Sequence, residues 1–207
     1  MAPSRHTPSQ DMPRVLGLIL AAGHSRRFGS DKRLASLGEQ TLLAATAANL
    51  RPHVFAITVI LRHGEHPEAL GLPGDTDVVH APSSPIGMGV SLASAVSELL
   101  ASIEPGHQQC QALALMLGDM PGVRADTLQA LAGRARHDII VRPYHQGHAG
   151  HPVIFGRAFW PALAALDGDE GARSLLARYR SHVVVLDVDD PGILTDVDTL
   201  DDLSSLQ

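Results

Sequence analysis

Aromatic residues are scarce in this sequence of 207 residues, at 3%, and cysteine occurs once, as Cys110. A single cysteine excludes an internal disulfide framework and fits a reducing compartment. No stretch approaches the roughly 20 consecutive apolar residues of a transmembrane helix. Residues 1–13 are polar and rich in proline, and they lack the apolar segment of a signal peptide. We therefore expect a disordered leader over 1–13 and one soluble, cytoplasmic domain over 14–207.

Positive charge is also in short supply, since the net charge is −6. This balance argues against a nucleic-acid partner, which usually meets a basic face, but a local basic cluster could still bind a nucleotide. Of sixteen Lys and Arg residues only Lys32 is a lysine. A genome biased toward arginine codons explains the arginines. It leaves open why one position keeps a compact ammonium group, which the planar guanidinium cannot mimic.

Hydrophobic patterns alternate between strand-like and helix-like segments along the chain. Such alternation predicts one α/β domain, a three-layer sandwich around a mostly parallel, Rossmann-like sheet. Ligands of such sheets bind at the carboxyl ends of strands, which directs attention to the loops after Leu20, His80 and Leu117. The predicted strands are Val15–Leu20, Val54–Leu61, Asp77–His80, Ala112–Leu117, Ile139–Arg142, Val153–Phe155 and His182–Val188, and the predicted helices are Thr41–Leu50, Gly89–Ser102, Arg124–His137, Phe159–Leu166, Ala172–Tyr179 and Thr199–Leu206.

The loop after the first predicted strand, residues 20–32, holds two glycines, small residues, two arginines and the lone lysine. Glycines let backbone N–H groups approach phosphate oxygens, and Arg27 and Lys32 would neutralise a triphosphate. The loop is not a Walker A motif, because five residues separate Gly23 from Gly29 and two more precede Lys32. The dinucleotide fingerprint G-x-G-x-x-G is absent as well. The loop therefore predicts a different type of triphosphate site.

These residues resemble the signature L-A-[AG]-G-x-[SG]-x-R-[MF]-G-x-D-K of the MobA-like NTP transferases, and more narrowly the molybdenum cofactor cytidylyltransferases. Phe28 stands where methionine is commoner in that signature. Guanylyl-transferring relatives typically have a second glycine at Ala22, so the methyl group there favours CTP over the larger GTP. The resemblance implies nucleotide contacts from Leu20, Ala21, Ala22, Gly23, Arg27 and Lys32, with Arg27 and Lys32 also acting in catalysis.

Two aspartate-bearing segments are the candidate Mg²⁺ ligands, since Mg²⁺ typically takes one or two protein carboxylates. Asp119 directly follows the strand Ala112–Leu117 and could instead form a turn or cap a helix, but its surroundings resemble the family's G-D-x-P motif, which favours a ligand and catalytic role. Asp196 and Asp198 share one side if their segment is extended. We favour Asp196, with Asp198 as the alternative ligand or as the N-cap of the last helix. The family pattern D-[IV]-D-T-P-E-D departs here at Leu200 and Asp201.

Three further motifs concern the nucleotide and the acceptor. Residues 87–92 resemble a family segment near the nucleotide, which implies a nucleotide contact from Ser91, although an ordinary helix start is an equal reading. Residues 150–152 and 168–173 resemble the subgroup motifs G-H-P and G-D-x-G-A-R, which implies that His151, Asp169 and Arg173 contact the acceptor. Asp169 and Arg173 could equally be a surface helix pair. His145, His148 and His151 suggest zinc, but the intervening glycines disfavour it.

The resemblance implies a Mg²⁺-dependent nucleotidyltransferase that moves CMP from CTP to the phosphate of molybdopterin or the molybdenum cofactor and releases pyrophosphate. No Ser-His-Asp arrangement is needed, because the acceptor phosphate is itself the nucleophile. The alternatives are guanylyl transfer to the same cofactor and transfer to a sugar or alditol phosphate. A non-catalytic, nucleotide-binding chaperone that delivers cofactor to a recipient molybdoenzyme is a further alternative. We expect neither nucleic-acid nor membrane partners.

Overall fold

The computed structural model describes residues 13–23, 28–85 and 87–205, so nearly all of the predicted leader lies outside the described residues. None of the described helices is long and apolar enough to cross a membrane. The strands are β1 (Val15–Leu20), β2 (Ser36–Leu37), β3 (Gln40–Thr41), β4 (Ala56–Leu61), β5 (Asp77–His80), β6 (Ala112–Leu117), β7 (Ile140–His145), β8 (His148–Ala149), β9 (Val153–Gly156) and β10 (Val183–Asp187).

The main sheet has the strand order β10-β7-β9-β6-β1-β4-β5, with β8 added to β7. The central strand β1 pairs in parallel with both β4 and β6, and the pairs β4–β5 and β7–β10 are also parallel. Strand β9 is antiparallel to its neighbours β6 and β7. The prediction of an α/β domain with a mostly parallel sheet is therefore confirmed.

Helices cover both faces of this sheet and make it the middle of three layers. The helices are α1 (Leu42–Leu50), α2 (Met88–Ala101), α3 (Pro105–Gln108), α4 (Ala125–Arg134), α5 (Trp160–Leu163), α6 (Arg173–Arg178) and α7 (Leu200–Ser204). Helices α2, α5 and α6 pack on one face and α1 and α4 on the other. Strands β1 and β6 are continuous apolar runs because side chains on both of their faces are buried.

Some of the predicted helix boundaries agree with the structure and others differ. Helix α1 begins as predicted, with the Thr41 hydroxyl accepting a hydrogen bond from the Ala44 N–H at 3.1 Å. The helix predicted over 159–166 is reduced to α5, preceded by a 3₁₀ turn over Arg157–Phe159. The helix predicted over 124–137 ends at Arg134 because Ala135 is extended and buried. The short β2–β3 hairpin and β8 were not predicted from the sequence.

The chain returns from β10 to the end of β6 through a tight turn over Pro191–Leu194. Asp190 is buried, and its carboxylate accepts hydrogen bonds from the backbone N–H groups of Arg124 and Gly192, both at 2.9 Å. The Val197 N–H then donates to the Asp119 carbonyl at 3.0 Å. These contacts fix residues 195–198 beside the end of β6, where two of the predicted ligands lie.

The backbone contact at Gly192 generates a stability prediction. A Cβ atom at this position would lie 2.1 Å from the carbonyl oxygen of Gly122, and neither backbone can move away easily. We expect Gly192→Ala to lower the free energy of unfolding by about 2 kcal/mol or more, measured by urea denaturation.

Gly74→Ala is the matched control. Its Cβ would come within 2.5 Å of an atom as well, but that atom is the carboxylate oxygen of Glu68, at the end of a flexible side chain. We expect this variant to change the free energy of unfolding by less than about 1 kcal/mol. Equal destabilisation of the two variants would contradict the importance of the turn at Gly192.

Candidate active site

The carboxyl ends of β1 and β6 open into a cavity of about 580 Å³. The loop after β1, the start of α2, the end of β6 and the C-terminal segment all contribute to it. Among the residues predicted from the sequence, the cavity is lined by Leu20, Ala21, Ala22, Gly23, Lys32, Ser91, Asp119, Asp169, Asp196 and Asp198. Arg27 lies outside the described residues. The predicted nucleotide and metal residues that the structure describes are thus brought together.

Lys32 lies at the centre of the charged groups in this cavity. Its Nζ atom is 2.6 Å from Asp119 Oδ2 and 2.8 Å from Asp198 Oδ1, and the three side chains are 16–33% exposed. Burial opposes the charge of the ammonium, but the hydrogen bonds to the two aspartates outweigh burial and raise the pKa of Lys32. Lys32 is therefore a fixed positive charge at neutral pH.

Asp119 is the most enclosed of the carboxylates. It follows Gly118, whose N–H donates to the Leu20 carbonyl at 2.9 Å and so holds the ends of β1 and β6 together. Burial raises the pKa of Asp119, against the opposing effect of Lys32. Its Oδ1 atom is buried and has no hydrogen-bond partner among the described residues. A buried carboxylate oxygen in this state is a ready ligand for a cation.

Asp196 and Asp198 both line the cavity while Val197 between them is fully buried, which is the arrangement that their spacing predicts. Asp198 does not cap the last helix. Thr199 does so, in a capping box with Asp202. One carboxylate oxygen from each of Asp119, Asp196 and Asp198 lies within 4.8 Å of the others. Asp196 and Asp198 were predicted as alternative ligands, and their carboxylates are close enough together to bind the same cation.

These three carboxylates fit a hard divalent cation such as Mg²⁺ or Mn²⁺, which prefers oxygen ligands. The unpartnered Asp119 Oδ1 supports this fit, because a cation would satisfy it. The histidine alternative does not fit. His145 Nδ1 is 3.1 Å from the Val188 carbonyl, and His148 is exposed in the β7–β8 hairpin. Within the described part of the chain, the aspartates are the one cluster of potential ligands.

A buried ion network, not anticipated from the sequence, secures both ends of the glycine-rich loop. Arg33 is 4% exposed and pairs with Asp31 and Glu65, both at 2.5 Å. It also donates to the Ala21 carbonyl at 2.7 Å, and Arg62 donates to the Gly23 carbonyl at 2.5 Å. Hydrogen bonding to Arg33 lowers the pKa of Asp31 to about 2. The loop is thereby anchored on either side of the residues that would meet a triphosphate.

The start of α2 packs against the loop that precedes α6. The Gly89 N–H donates to the Gly168 carbonyl at 2.9 Å, and a Cβ atom at Gly89 would lie 2.3 Å from the Asp167 carbonyl oxygen. Ser91 lines the cavity, but its hydroxyl donates to the Gly87 carbonyl at 2.9 Å. The glycines of this segment therefore permit the close approach of two loops.

A second cavity of about 570 Å³ adjoins the first and shares Leu20, Met88 and Leu117 with it. His151 and Arg173 line it, as predicted for acceptor contacts, whereas Asp169 lines the first cavity. Helix α6 begins only at Arg173, and Asp169 and Arg173 form no ion pair in the described chain, so the surface-pair alternative is not realised.

His151 and Arg142 have unusual surroundings in the second cavity. Burial lowers the pKa of His151, which leaves the imidazole neutral near pH 7, and its Nδ1 atom has no hydrogen-bond partner among the described residues. Arg142, on β7, was not singled out from the sequence. Its position directly after the apolar residues Ile140 and Val141 of β7 is the signal that could have identified it.

Comparison with known proteins identifies the family. Residues 17–183 match the MobA-like NTP transferase domain, and the chain belongs to that family. It is 30% identical to the purine catabolism protein PucB of Bacillus subtilis, over 90% of this chain and 93% of that protein. It is 24% identical to the molybdenum cofactor cytidylyltransferase of Escherichia coli (89% and 91% covered) and 29% identical to a molybdenum cofactor guanylyltransferase of Sinorhizobium fredii (93% and 86% covered).

Solved structures agree with this assignment. A homologue, from Mycobacterium sp. strain JC1, of the Mycobacterium tuberculosis protein Rv0371c superposes with a TM-score of 0.78 and 34% identity, covering 93% of this chain and 96% of that one. Rv0371c of Mycobacterium tuberculosis in complex with manganese gives a TM-score of 0.71 and 29% identity, with 94% and 98% covered. The chain is therefore a nucleotidyltransferase by family and by fold.

The carboxylate cluster predicts how this protein binds a divalent cation. We expect Asp119→Asn to weaken Mn²⁺ binding by at least about tenfold, because even residues that only support a metal ligand typically contribute this much. The measurement is titration with Mn²⁺ followed by electron paramagnetic resonance.

Asp201→Asn is the control, since Asp201 is an exposed carboxylate on α7, near the cluster in sequence but not part of it. It should bind Mn²⁺ as the unsubstituted protein does. Unchanged binding by Asp119→Asn would exclude Asp119 as a ligand.

Proposed function

We propose that this nucleotidyltransferase moves CMP from CTP to the phosphate of a molybdopterin-type acceptor, with release of pyrophosphate. The observation that carries the proposal is the convergence of Lys32 with three carboxylates in a cavity that adjoins a second, acceptor-sized one. The molybdopterin class of acceptor is supported by relatives named as cytidylyl- and guanylyltransferases of the molybdenum cofactor.

In this proposal the glycine-rich loop binds the triphosphate. Backbone N–H groups around Gly23 approach the phosphate oxygens, while Arg27 and Lys32 neutralise their charge. Asp119 and Asp198 fix the position of the Lys32 ammonium, which in this proposal lies at the α-phosphate and opposes the negative charge that develops there during transfer.

The carboxylates of Asp119, Asp196 and Asp198 would hold a divalent cation, which we propose is Mg²⁺. When bound, that ion supplies charge neutralisation on the phosphate oxygens. An acceptor phosphate oxygen forms a bond to the α-phosphorus as the bond to the bridging oxygen of pyrophosphate breaks. Catalysis therefore rests on positioning and charge, since an ionised phosphate needs no general base.

Ala22 supports cytosine as the preferred base. It lines the first cavity and is half-buried, with its side chain packed against the core that includes α2. A methyl group here reduces the space for a purine in comparison with glycine. One such group is worth roughly 10- to 200-fold in discrimination between ligands. Guanylyl transfer remains the competing reaction, and its relatives reach similar identity to this chain.

The test is pyrophosphate release with Mg²⁺ and the molybdenum cofactor, comparing CTP with GTP, ATP and UTP. We expect release with CTP, and we expect Ala22→Gly to narrow the preference for CTP over GTP by about tenfold because it enlarges the base site. Release with GTP alone would reject the base assignment and retain the chemistry.

Two comparisons complete this experiment. Ala158→Gly, at an exposed position outside both cavities, should keep the original preference. Binding of NTP without pyrophosphate release from any of the four nucleotides would reject transfer to this acceptor and favour a chaperone that carries the cofactor to a molybdoenzyme.

A further inference from the structure

The second cavity has the size and lining of a binding site for a partly apolar small molecule. At about 570 Å³ it falls within the range of small-molecule sites. Its walls include Leu115, Tyr144, Val153 and Phe155, which come from β6, β7 and β9. It adjoins the first cavity, with which it shares Leu20, Met88 and Leu117, so a molecule bound here would lie next to a nucleotide bound in the first cavity.

Arg142 is a charged residue placed inside this apolar wall without a counter-ion. It is half-buried, it lies between the buried Val141 and Pro143, and it pairs in register with Val185 of the edge strand. Its Nε atom is buried and has no hydrogen-bond partner, and no carboxylate in the described ranges forms an ion pair with it. A guanidinium in such a position is costly unless something else satisfies it.

Two other arginines that are buried or partly buried are paired with carboxylates. Arg33 and Arg62 both pair with Asp31 and Glu65 and also donate to backbone carbonyls. The Nε atom of Arg62 is unpartnered as well, but its terminal nitrogens are paired, and Arg157, which has no carboxylate partner, donates to the carbonyls of His107 and Cys110. Arg142 has no such partner among the described residues, which favours a ligand as its partner.

The charges around Arg142 favour an anion. Arg173 and Arg180 line the same cavity, and Glu170 is the carboxylate among the lining residues, so positive charge is in excess. Arg142 and His151 line the same cavity, which adjoins the cavity that contains the carboxylate cluster.

We propose that Arg142 binds the phosphate group of the acceptor and orients it toward the nucleotide, which makes it a determinant of acceptor specificity for phosphate monoesters. This inference rests on the proposed function for the identity of the acceptor. It does not rest on that function for the existence of an anion site. The guanidinium can donate two parallel hydrogen bonds to phosphate, which a point charge cannot reproduce.

The kinetic test compares Arg142→Gln, Arg142→Lys and the control Arg134→Gln. Arg134 is exposed on α4, on the opposite face of the sheet, and its substitution removes the same charge. We expect Arg142→Gln to raise the KM for the molybdenum cofactor by at least about tenfold, with the KM for CTP unchanged, as for a lost charge-assisted hydrogen bond. Arg142→Lys should recover part of this loss. An acceptor KM within twofold of the original, or an equal rise in both KM values, would overturn the proposal.

A binding test separates this proposal from the proposed function. With CTP and Mg²⁺ saturating the glycine-rich loop, inorganic phosphate is titrated and followed by ³¹P NMR. Binding that weakens at least about tenfold in Arg142→Gln but not in Arg134→Gln supports the anion site. If the unsubstituted protein shows this binding but releases no pyrophosphate with the cofactor, the site stands and the assigned acceptor fails. Phosphate binding that is indifferent to Arg142→Gln overturns the site, provided the variant keeps its melting temperature.

Discussion

Three carboxylates that reach within 4.8 Å of one another repel strongly, and the arrangement depends on the ammonium of Lys32. Lys32 contacts Asp119, at the end of β6, and Asp198, which lies 166 residues further along the chain than Lys32. The ion network around Arg33 holds the loop that carries the lysine, and the turn at Gly192 returns the C-terminal segment. The contacts at this edge of the sheet thus hold Lys32 and the three aspartates close together.

Much of this could be predicted from local pattern. Strands β1 and β6 were predicted to the residue, because burial on both faces demands uninterrupted apolar runs. The common side of Asp196 and Asp198 was predicted for a different reason, namely that alternate residues of an extended segment point the same way. The antiparallel direction of β9 was not predicted, since four apolar residues carry no sign of strand direction. The isolation of Arg142 was equally inaccessible, because it depends on residues that are distant in sequence.

The distinction between related activities depends on few side chains. Relatives named for cytidylyl and guanylyl transfer share similar overall identity with this chain, at 24% and 29%. In the proposed function, Lys32 and the carboxylates contact phosphates, which every nucleotide carries. Ala22 in the first cavity would contact the base, and the walls of the second cavity would contact the acceptor. Specificity can therefore change while the fold and the charged centre remain.

We propose that Lys32, the only lysine of the sequence, acts as a compact charge at the transferred phosphate. The most direct measurement is pyrophosphate release by Lys32→Arg, with the melting temperature as the check on folding. The substitution keeps the charge, but a planar guanidinium does not fit between Asp119 and Asp198 as an ammonium does. We predict a folded protein whose turnover is lower by on the order of 100-fold or more. Turnover within about threefold of the unsubstituted protein would contradict this role of Lys32, because catalysis would then need only a positive charge.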